Sequence, residues 1–259
     1  MPLRFPNPPG LVAYLAIGDP DLATSYHIAQ AAIDAGADVL ELGVPFSDPV
    51  ADGPVIQRAS ERALANGVTL RDVIALAAAL RLARPAVGLV IFSYLNPILR
   101  FGLEDFCSAA AQAGVDGVLV TDLIVEEAAD YLAAMRRHHL APIFLAAPTS
   151  PDARLERIAA ASEGFVYAIS RTGITGTRTQ LESDAEQLVR RLRQYTKLPI
   201  AVGFGISNPE HFAAVGEFAD AAVIGSALVA TIEQAGPKDA PSSIARFIQG
   251  LRGAPALAR

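Results

Sequence analysis

The sequence predicts an α/β protein with a single (β/α)8 barrel, and three observations support this prediction. Eight short apolar runs alternate with Ala-rich stretches of helical periodicity along the 259 residues. Each apolar run is nearly continuous, as expected of parallel strands that are buried on both faces. Eight β–α units in a chain of this length match the strand number and the size of such a barrel.

The predicted elements alternate along the whole chain. The strand predictions are Leu11–Ile17, Asp38–Gly43, Val87–Ser93, Gly117–Thr121, Pro142–Ala146, Phe165–Ser170, Pro199–Gly203 and Ala221–Ile224. The helix predictions are Ala23–Ala35, Leu70–Leu82, Leu103–Ala113, Glu126–His138, Asp152–Ala161, Ser183–Tyr195, Pro209–Phe218 and Ser242–Leu251. Gly36 and Gly114 stand where a helix must stop sharply before the next strand.

The residues after the first strand argue against the main alternative, a doubly wound open sheet. That fold usually carries a Gly-rich fingerprint at this position, whereas here Gly18-Asp19-Pro20-Asp21 follows. We therefore expect one TIM-barrel domain over residues 1–259. A Pro-rich N-terminal segment, residues 1–10, precedes the barrel, and residues 253–259 are expected to form a frayed tail.

The composition limits the function classes. The net charge is −6 and basic residues are not clustered, so neither nucleic acid nor an anionic membrane surface is an expected partner. No apolar run reaches the length of a membrane span, and the N-terminus lacks a signal-peptide core, which predicts a cytoplasmic protein. The four histidines fall in or beside predicted helices and the chain has one cysteine, so zinc sites and Ser–His triads are disfavoured.

The second strand carries the first candidate for catalysis. Glu41 interrupts an apolar strand, so it either points into the barrel with a raised pKa, suited to proton transfer, or is a paired structural glutamate. These two interpretations are equally supported by the strand alone. Asp48 and Asp52 follow in the next loop, where a lone aspartate is more often a solvated turn residue. No histidine is near them in sequence, and no metal site is predicted.

Three late strands end in glycine-bearing loops. These are the loops after Ser170, after Gly203 and after Ile224. In a TIM barrel, loop N–H groups and the N-terminus of a short helix converge there on a phosphate. Few cations are available, so backbone groups are expected to hold the anion. The loop after Ser170 is long and rich in Gly and Thr, which is the composition of a mobile lid.

These residues closely resemble the α subunit family of tryptophan synthase. The stretch Leu40–Gly53 is similar to that family's signature almost throughout. The resemblance continues through Gly18–Pro20, Tyr94–Pro97, Ala147–Thr149, Ser170–Gly176, Val202–Ser207 and Gly225–Ala227. It implies a lyase of tryptophan biosynthesis that reversibly cleaves indole-3-glycerol phosphate to indole and glyceraldehyde 3-phosphate by a retro-aldol reaction.

The resemblance also implies roles for individual residues. Glu41 and Asp52 match the two catalytic carboxylates: Glu41 moves the protons, and Asp52 hydrogen-bonds the indole N–H. The expected substrate-binding residues are Tyr14, Tyr167, Thr175, Gly176, Phe204, Gly205, Gly225 and Ser226. Among them Tyr14 lies beside the indole, Thr175 contacts Asp52 when the lid closes, and the last five supply phosphate-binding N–H groups.

A partner is implied by the resemblance as well. It is the tryptophan synthase β subunit, which carries pyridoxal phosphate and receives indole in an αββα heterotetramer. This chain itself needs no cofactor. The contact surface is expected to include Asp48 as a coupling residue together with Pro45, Asn96 and Pro97.

Other functions remain open at the level of sequence. The chain fits a stand-alone lyase that releases free indole, and also a barrel that has lost catalysis and acts only as an allosteric partner. A different phosphate-binding barrel, such as an isomerase, usually places its acid and base on strands one and five, where this chain shows only apolar residues and Ala-Ala-Pro. Ile124 stands where the family commonly has proline, and the short N-terminal segment is expected to reduce or remove the family's leading helix.

Overall fold

In the computed structural model of the protein, residues 3–6, 8–169, 178–203 and 205–253 are described, the side chains of 178–183 excepted. The strands of this part of the chain are β1 (Gly10–Ala16), β2 (Val39–Gly43), β3 (Gly88–Ser93), β4 (Gly117–Val120), β5 (Ala141–Ile143), β6 (Leu145–Ala146), β7 (Val166–Ile169), β8 (Ile200–Gly203) and β9 (Ala221–Ile224). They form one sheet in which every pairing is parallel.

The sheet closes on itself. Its strand order is β5-β4-β3-β2-β1-β9-β8-β7-β6, and β5 and β6 are the two halves of the predicted fifth strand. Phe144 separates the halves, and its carbonyl accepts a hydrogen bond of 3.1 Å from the Tyr167 N–H. The two edges of the sheet therefore meet within a single strand, and the predicted eight-stranded α/β barrel is confirmed.

The helices surround the barrel. They are α1 (Leu22–Asp34), α2 (Pro54–Ala65), α3 (Leu70–Ala83), α4 (Leu95–Phe101), α5 (Leu103–Gln112), α6 (Ala129–Arg137), α7 (Asp152–Ala161), α8 (Arg178–Leu192), α9 (Pro209–Val215) and α10 (Ser226–Leu251). A short 3-10 turn, Val125–Glu127, precedes α6.

Two helices and the starts of α8 and α10 differ most from the sequence predictions. Helix α8 begins at Arg178, five residues before the predicted Ser183. Helices α2 and α4 were not predicted, because turn-forming residues at their starts resemble loop sequence; α2 has Pro54 in its first turn. Helix α10 begins at Ser226, well before the predicted Ser242. Gly236 interrupts this helix with a φ of +70°, and Pro237 follows directly. The helical periodicity of the sequence is therefore clear only after this break.

The lower half of the barrel interior is apolar and closed. Inward-facing side chains of the strands form one cluster with Leu3 and Phe5 of the N-terminal segment. Phe5 packs edge-on against Phe165 with ring centroids 5.9 Å apart. The described residues before Gly10 form no helix. Through Leu3 and Phe5, this N-terminal segment closes the barrel floor. The interior below the level of Glu41 is therefore filled by apolar side chains.

At the barrel floor, the same arrangement of an aspartate, a backbone N–H group and an arginine recurs. Asp38, at the start of β2, accepts the Leu11 N–H at 2.7 Å and pairs with Arg252 at 2.6 Å. Asp116, before β4, does the same for the Leu89 N–H and Arg81. Each carboxylate thus ties a strand start to a neighbouring strand and to a helix, at the face where such residues serve stability.

No single helix among the described residues is both long and apolar enough to cross a membrane. Helices α2 and α3 pass that length and hydropathy test only when taken together, and they are bent by 97° relative to each other.

Candidate active site

A cavity of about 140 Å³ opens at the carboxyl ends of the strands. Its lining combines one carboxyl group, two phenols, apolar side chains and glycine-rich loops: Tyr14, Glu41, Ile56, Phe92, Tyr167, Gly203, Gly205, Ile206, Val223, Gly225 and Ser226. None of these described lining residues is cationic. The sequence predictions Glu41, Tyr14, Tyr167, Gly205, Gly225 and Ser226 are therefore brought together in one place.

Glu41 lies at the bottom of this cavity with its side chain inside the barrel. It is fully buried, and neither carboxyl oxygen has a hydrogen-bond partner in the described part of the chain. The residue two positions before it on β2, Val39, belongs to the apolar interior layer. Burial in these surroundings raises the pKa of Glu41 to about 8, because a dry cavity disfavours the charged form. Such a group exists in both protonation states near neutral pH and is suited to give and take a proton.

Asp52 lies in the loop after β2 and is held by a tyrosine from the next strand. The Tyr94 hydroxyl donates a hydrogen bond of 3.0 Å to Asp52 and accepts one of 2.9 Å from the Ala51 N–H. Partial burial raises the pKa of Asp52, and the bond from Tyr94 opposes this rise. The second carboxylate is thus held in orientation by the Tyr94 hydroxyl, which is itself held by the Ala51 N–H.

Tyr14 and Tyr167 use the same packing arrangement on two sides of the cavity. Tyr14 pairs in register with Glu41, and its hydroxyl lies over Gly43, two residues further along β2. Tyr167 pairs with Ala201, and its hydroxyl lies over Gly203, two residues further along β8. A Cβ at Gly43 or Gly203 would approach the respective hydroxyl to 2.5 or 2.6 Å. Each glycine is therefore required by the tyrosine of the neighbouring strand.

The opposite end of the cavity contains a helix N-terminus that no side chain caps. It is the start of helix α10, at Ser226 beside Gly225. The first N–H groups of a helix have no partner within the helix and carry partial positive charge. Gly205 adds a loop with a φ of +61°, a conformation that favours glycine. The amide hydrogens at this helix start thus lie beside a cavity whose described lining residues include no cation. Thr175, Gly176 and Phe204 lie outside the described residues.

Three of the four residues predicted at a partner interface line one surface groove of about 490 Å³: Pro45, Asn96 and Pro97. Asp48 is exposed in the adjoining loop and accepts a hydrogen bond of 2.5 Å from Ser47. Two large apolar side chains near this groove are exposed, Val50 by 85% and Leu99 by 56%. Among the described residues, no group of three or more metal-binding side chains lies close enough to hold a metal ion.

An ion-pair network holds three elements of the site together. Arg62 on α2 binds the buried Asp19, in the loop after β1, through two bonds of 2.7 and 2.9 Å. The same guanidinium reaches Glu233 on α10 at 2.8 Å. Helix α2 directly follows the Asp52 loop, and α10 starts at the opposite end of the cavity. The network therefore fixes the two ends of the cavity relative to each other.

Sequence reasoning did not assign a role to Tyr94, Gly43, Ile56 or Phe92. Tyr94 stands in a stretch that resembles the family, but nothing local indicates that its hydroxyl reaches Asp52, 42 positions earlier. Gly43 follows Glu41 at the spacing of residues on one face of a strand, which was the available signal that a neighbouring side chain needs its space.

Comparison with known proteins gives the family. The family model described as "Tryptophan synthase alpha chain" matches residues 3–252. The chain belongs to the tryptophan synthase alpha chain family. The alpha chain of Solibacter usitatus is 51% identical over 232 residues, which are 90% of this chain and 86% of that protein. The alpha chain of Chloroflexus aurantiacus is 45% identical over 252 residues, 97% of this chain and 95% of that protein.

Solved structures agree with this assignment. A tryptophan synthase structure from M. tuberculosis is similar with a TM-score of 0.85 and 36% identity, and the match covers 96% of this chain and 93% of that one. Tryptophan synthase subunit alpha of Legionella pneumophila gives a TM-score of 0.87 at 36% identity, with 94% and 91% covered. A tryptophan synthase complex from Pyrococcus furiosus gives 0.86 at 36% identity, with 94% and 98% covered.

Family membership supports the function expected from the sequence. This function is the alpha reaction of tryptophan synthase, a lyase role in tryptophan biosynthesis. A stand-alone lyase and a barrel without catalytic activity are not favoured by these matches.

Proposed function

We propose that the chain catalyses the reversible retro-aldol cleavage of indole-3-glycerol phosphate to indole and glyceraldehyde 3-phosphate. The observation that carries this proposal is the occurrence, in one cavity, of a buried carboxyl group without a hydrogen-bond partner among the described residues and a helix N-terminus that no side chain caps. The helix N-terminus suits the substrate's phosphate, and the apolar walls from Ile56 and Phe92 suit its indole ring.

Glu41 moves the protons of this reaction. In its neutral form it delivers a proton to indole C3, and in its ionised form it takes the proton of the hydroxyl on the adjacent glycerol carbon. The carbon–carbon bond then breaks, its electron pair returns to the indole ring, and the glycerol carbon becomes the aldehyde. A pKa near 8 lets one carboxyl group perform both steps near neutral pH.

Asp52 stabilises the charge that protonation at C3 creates. The indole nitrogen becomes cationic, and a carboxylate that accepts its N–H offsets this charge in the transition state. The hydrogen bond from Tyr94 supports this role, because it orients Asp52 before the substrate arrives. At the other end, the N–H groups at Gly205, Gly225 and Ser226 hold the phosphate. Thr175, which lies outside the described residues, is proposed to contact Asp52 when the substrate is bound.

The partner proposed for this chain is a tryptophan synthase β subunit in an αββα heterotetramer. The groove with Pro45, Asn96 and Pro97, the exposed Asp48 loop and the exposed Val50 support a docking surface next to the active-site mouth. We propose that pyridoxal phosphate belongs to that partner and that the reaction in this chain uses no cofactor. Consistent with this, neither lysine of the chain, Lys197 or Lys238, is among the cavity-lining residues. A cytoplasmic location stays a prediction.

The decisive variant is Glu41→Gln, which keeps the size of the side chain and removes the titrating proton. We expect cleavage to be abolished while substrate binding, measured by calorimetry, stays largely intact. Substantial turnover in this variant would show that another group is the base. Indole release should also be measured with and without added β subunit, since a high rate without it would favour a stand-alone lyase.

A further inference from the structure

The carboxyl group of Glu41 is an unpaired polar group at the bottom of the cavity. Both of its oxygens are buried without a hydrogen bond in the described part of the chain. The Tyr14 side chain lines the same cavity. Unpaired polar groups in a protein interior are uncommon, so these two oxygens call for a functional explanation.

The Tyr14 ring leans toward the strand that carries Glu41. Tyr14 and Glu41 are register partners on the adjacent strands β1 and β2. The hydroxyl of Tyr14 lies over Gly43, on the same face of β2 as Glu41 and two residues nearer the mouth. Phe92 supports the ring from the other side with a centroid distance of 5.1 Å. The phenol hydroxyl therefore lies on the mouth side of the position on β2 that carries the carboxyl group.

The second phenol of the cavity, that of Tyr167, is oriented toward a different strand. Tyr167 lies on β7, which is across the barrel from β2 in the strand order. Its hydroxyl lies over Gly203 of β8 and not over the strand of Glu41. Both phenols are near enough to Glu41 for its charge to contribute to raising their pKa values. Of the two hydroxyls, only that of Tyr14 lies over the strand that carries the carboxyl group, and this difference favours Tyr14 as its partner.

We propose that Tyr14 is a positioning residue whose hydroxyl donates a hydrogen bond to Glu41 when that carboxyl group is ionised. This inference rests on the proposed function, in which Glu41 must lose its proton once in each turnover. Among the described residues, the titratable groups that face this region are Tyr14 on β1, Tyr167 on β7, and Asp52 and Tyr94 in the loops after β2 and β3. None of these described groups is a cation, so a neutral donor is the partner that they offer to the ionised carboxylate.

Tyr14 remains a donor throughout the working pH range. Burial raises the pKa of its phenol well above the usual value, and the nearby Asp52 and Glu41 raise it further. A hydrogen bond to the charged form lowers the pKa of a carboxyl group. Tyr14 thus makes proton release from Glu41 easier without giving up its own proton.

The test is the substitution Tyr14→Phe, which keeps the ring against Phe92 and removes the donor. The titration of the Glu41 carboxyl group is followed in the ligand-free protein by infrared difference spectroscopy, and the band is assigned by its loss in Glu41→Gln. We expect the midpoint to rise by about one pH unit, as for the loss of one hydrogen bond to a charged group. The limb of the pH–rate profile that requires ionised Glu41 should move upward by the same amount.

The matched control is Tyr167→Phe, which removes the other phenol from the same cavity. We expect it to move the Glu41 midpoint by much less. An unchanged midpoint in Tyr14→Phe, or an equal shift in Tyr167→Phe, would overturn the inference. Because the titration needs no substrate, a midpoint shift in a protein that releases no indole would support the hydrogen bond and refute the proposed lyase reaction instead.

Discussion

The buried carboxyl group of Glu41 should make the protein less stable as the pH rises. Its pKa is raised from 4.5 to about 8 in the folded protein, where burial disfavours the charged form. Between these two values the unfolded chain has released the proton and the folded protein still holds it. Stability linked to Glu41 is therefore complete below the unfolded pKa and is lost as the pH rises through the folded pKa.

The magnitude follows from the two pKa values. Each pH unit in this interval costs about 1.4 kcal/mol of unfolding free energy, so about 4 kcal/mol is lost between about pH 5 and about pH 9. Glu41→Gln removes the titration, because the amide stays neutral. Its own burial adds an offset that does not depend on pH. The difference in stability between the two proteins should therefore change with pH by about this amount, in favour of the variant at high pH.

The assay is urea unfolding of both proteins across this pH range, at fixed ionic strength and followed by circular dichroism. Glu61→Gln, which removes a carboxylate from the exposed surface, controls for the change of net charge. If the stability difference between wild type and Glu41→Gln varied by less than about 1 kcal/mol across the range, the carboxyl group would not be as dry as the cavity geometry requires.

Three further substitutions test other contacts of the site. Asp52→Asn should lower kcat by about 100-fold, because the indole cation loses its charge partner; a rate within a few-fold of wild type would contradict this. Tyr94→Phe should raise the pKa of Asp52 and move the corresponding limb of the pH–rate profile upward, since the opposing hydrogen bond is lost; an unmoved profile would argue against it. Gly43→Ala should displace Tyr14 and destabilise the fold by about 1–3 kcal/mol in urea unfolding. Gly53→Ala, where an added methyl meets nothing within 4 Å, is the matched control.

The sequence predicted the parts of this fold that depend on local pattern. Strands that are buried on both faces are continuous apolar runs, so their number and their order along the chain could be predicted. Glu41 could be identified as a candidate because it is a charged residue inside such a run. Gly205 and Gly225 could be predicted as site residues because the loops after the late strands of this barrel commonly bind phosphate through their amides. Both glycines line the cavity. These features need no knowledge of which side chains meet in space.

The remaining features depend on contacts between distant residues. The bond from Tyr94 to Asp52 joins two loops that the barrel brings together, and the need for glycine at Gly43 comes from a ring on the neighbouring strand. The early start of α10 was hidden by the break at Gly236, which divides one helix into two apparent segments. Each of these depends on tertiary geometry that no local pattern encodes.

The strand order explains why one substrate can occupy both ends of the cavity. Glu41 lies on β2 and the α10 N-terminus follows β9, with only β1 between them. Neighbouring strands are about 4.8 Å apart, so roughly 10 Å of barrel wall separates the two backbones, and the inward reach of the Glu41 side chain shortens this gap. That span suits a three-carbon chain with a terminal phosphate. Tyr14 is on the intervening strand, so a ligand that joins the two ends must pass its hydroxyl, which is where a donor to the ionised carboxylate would act during turnover.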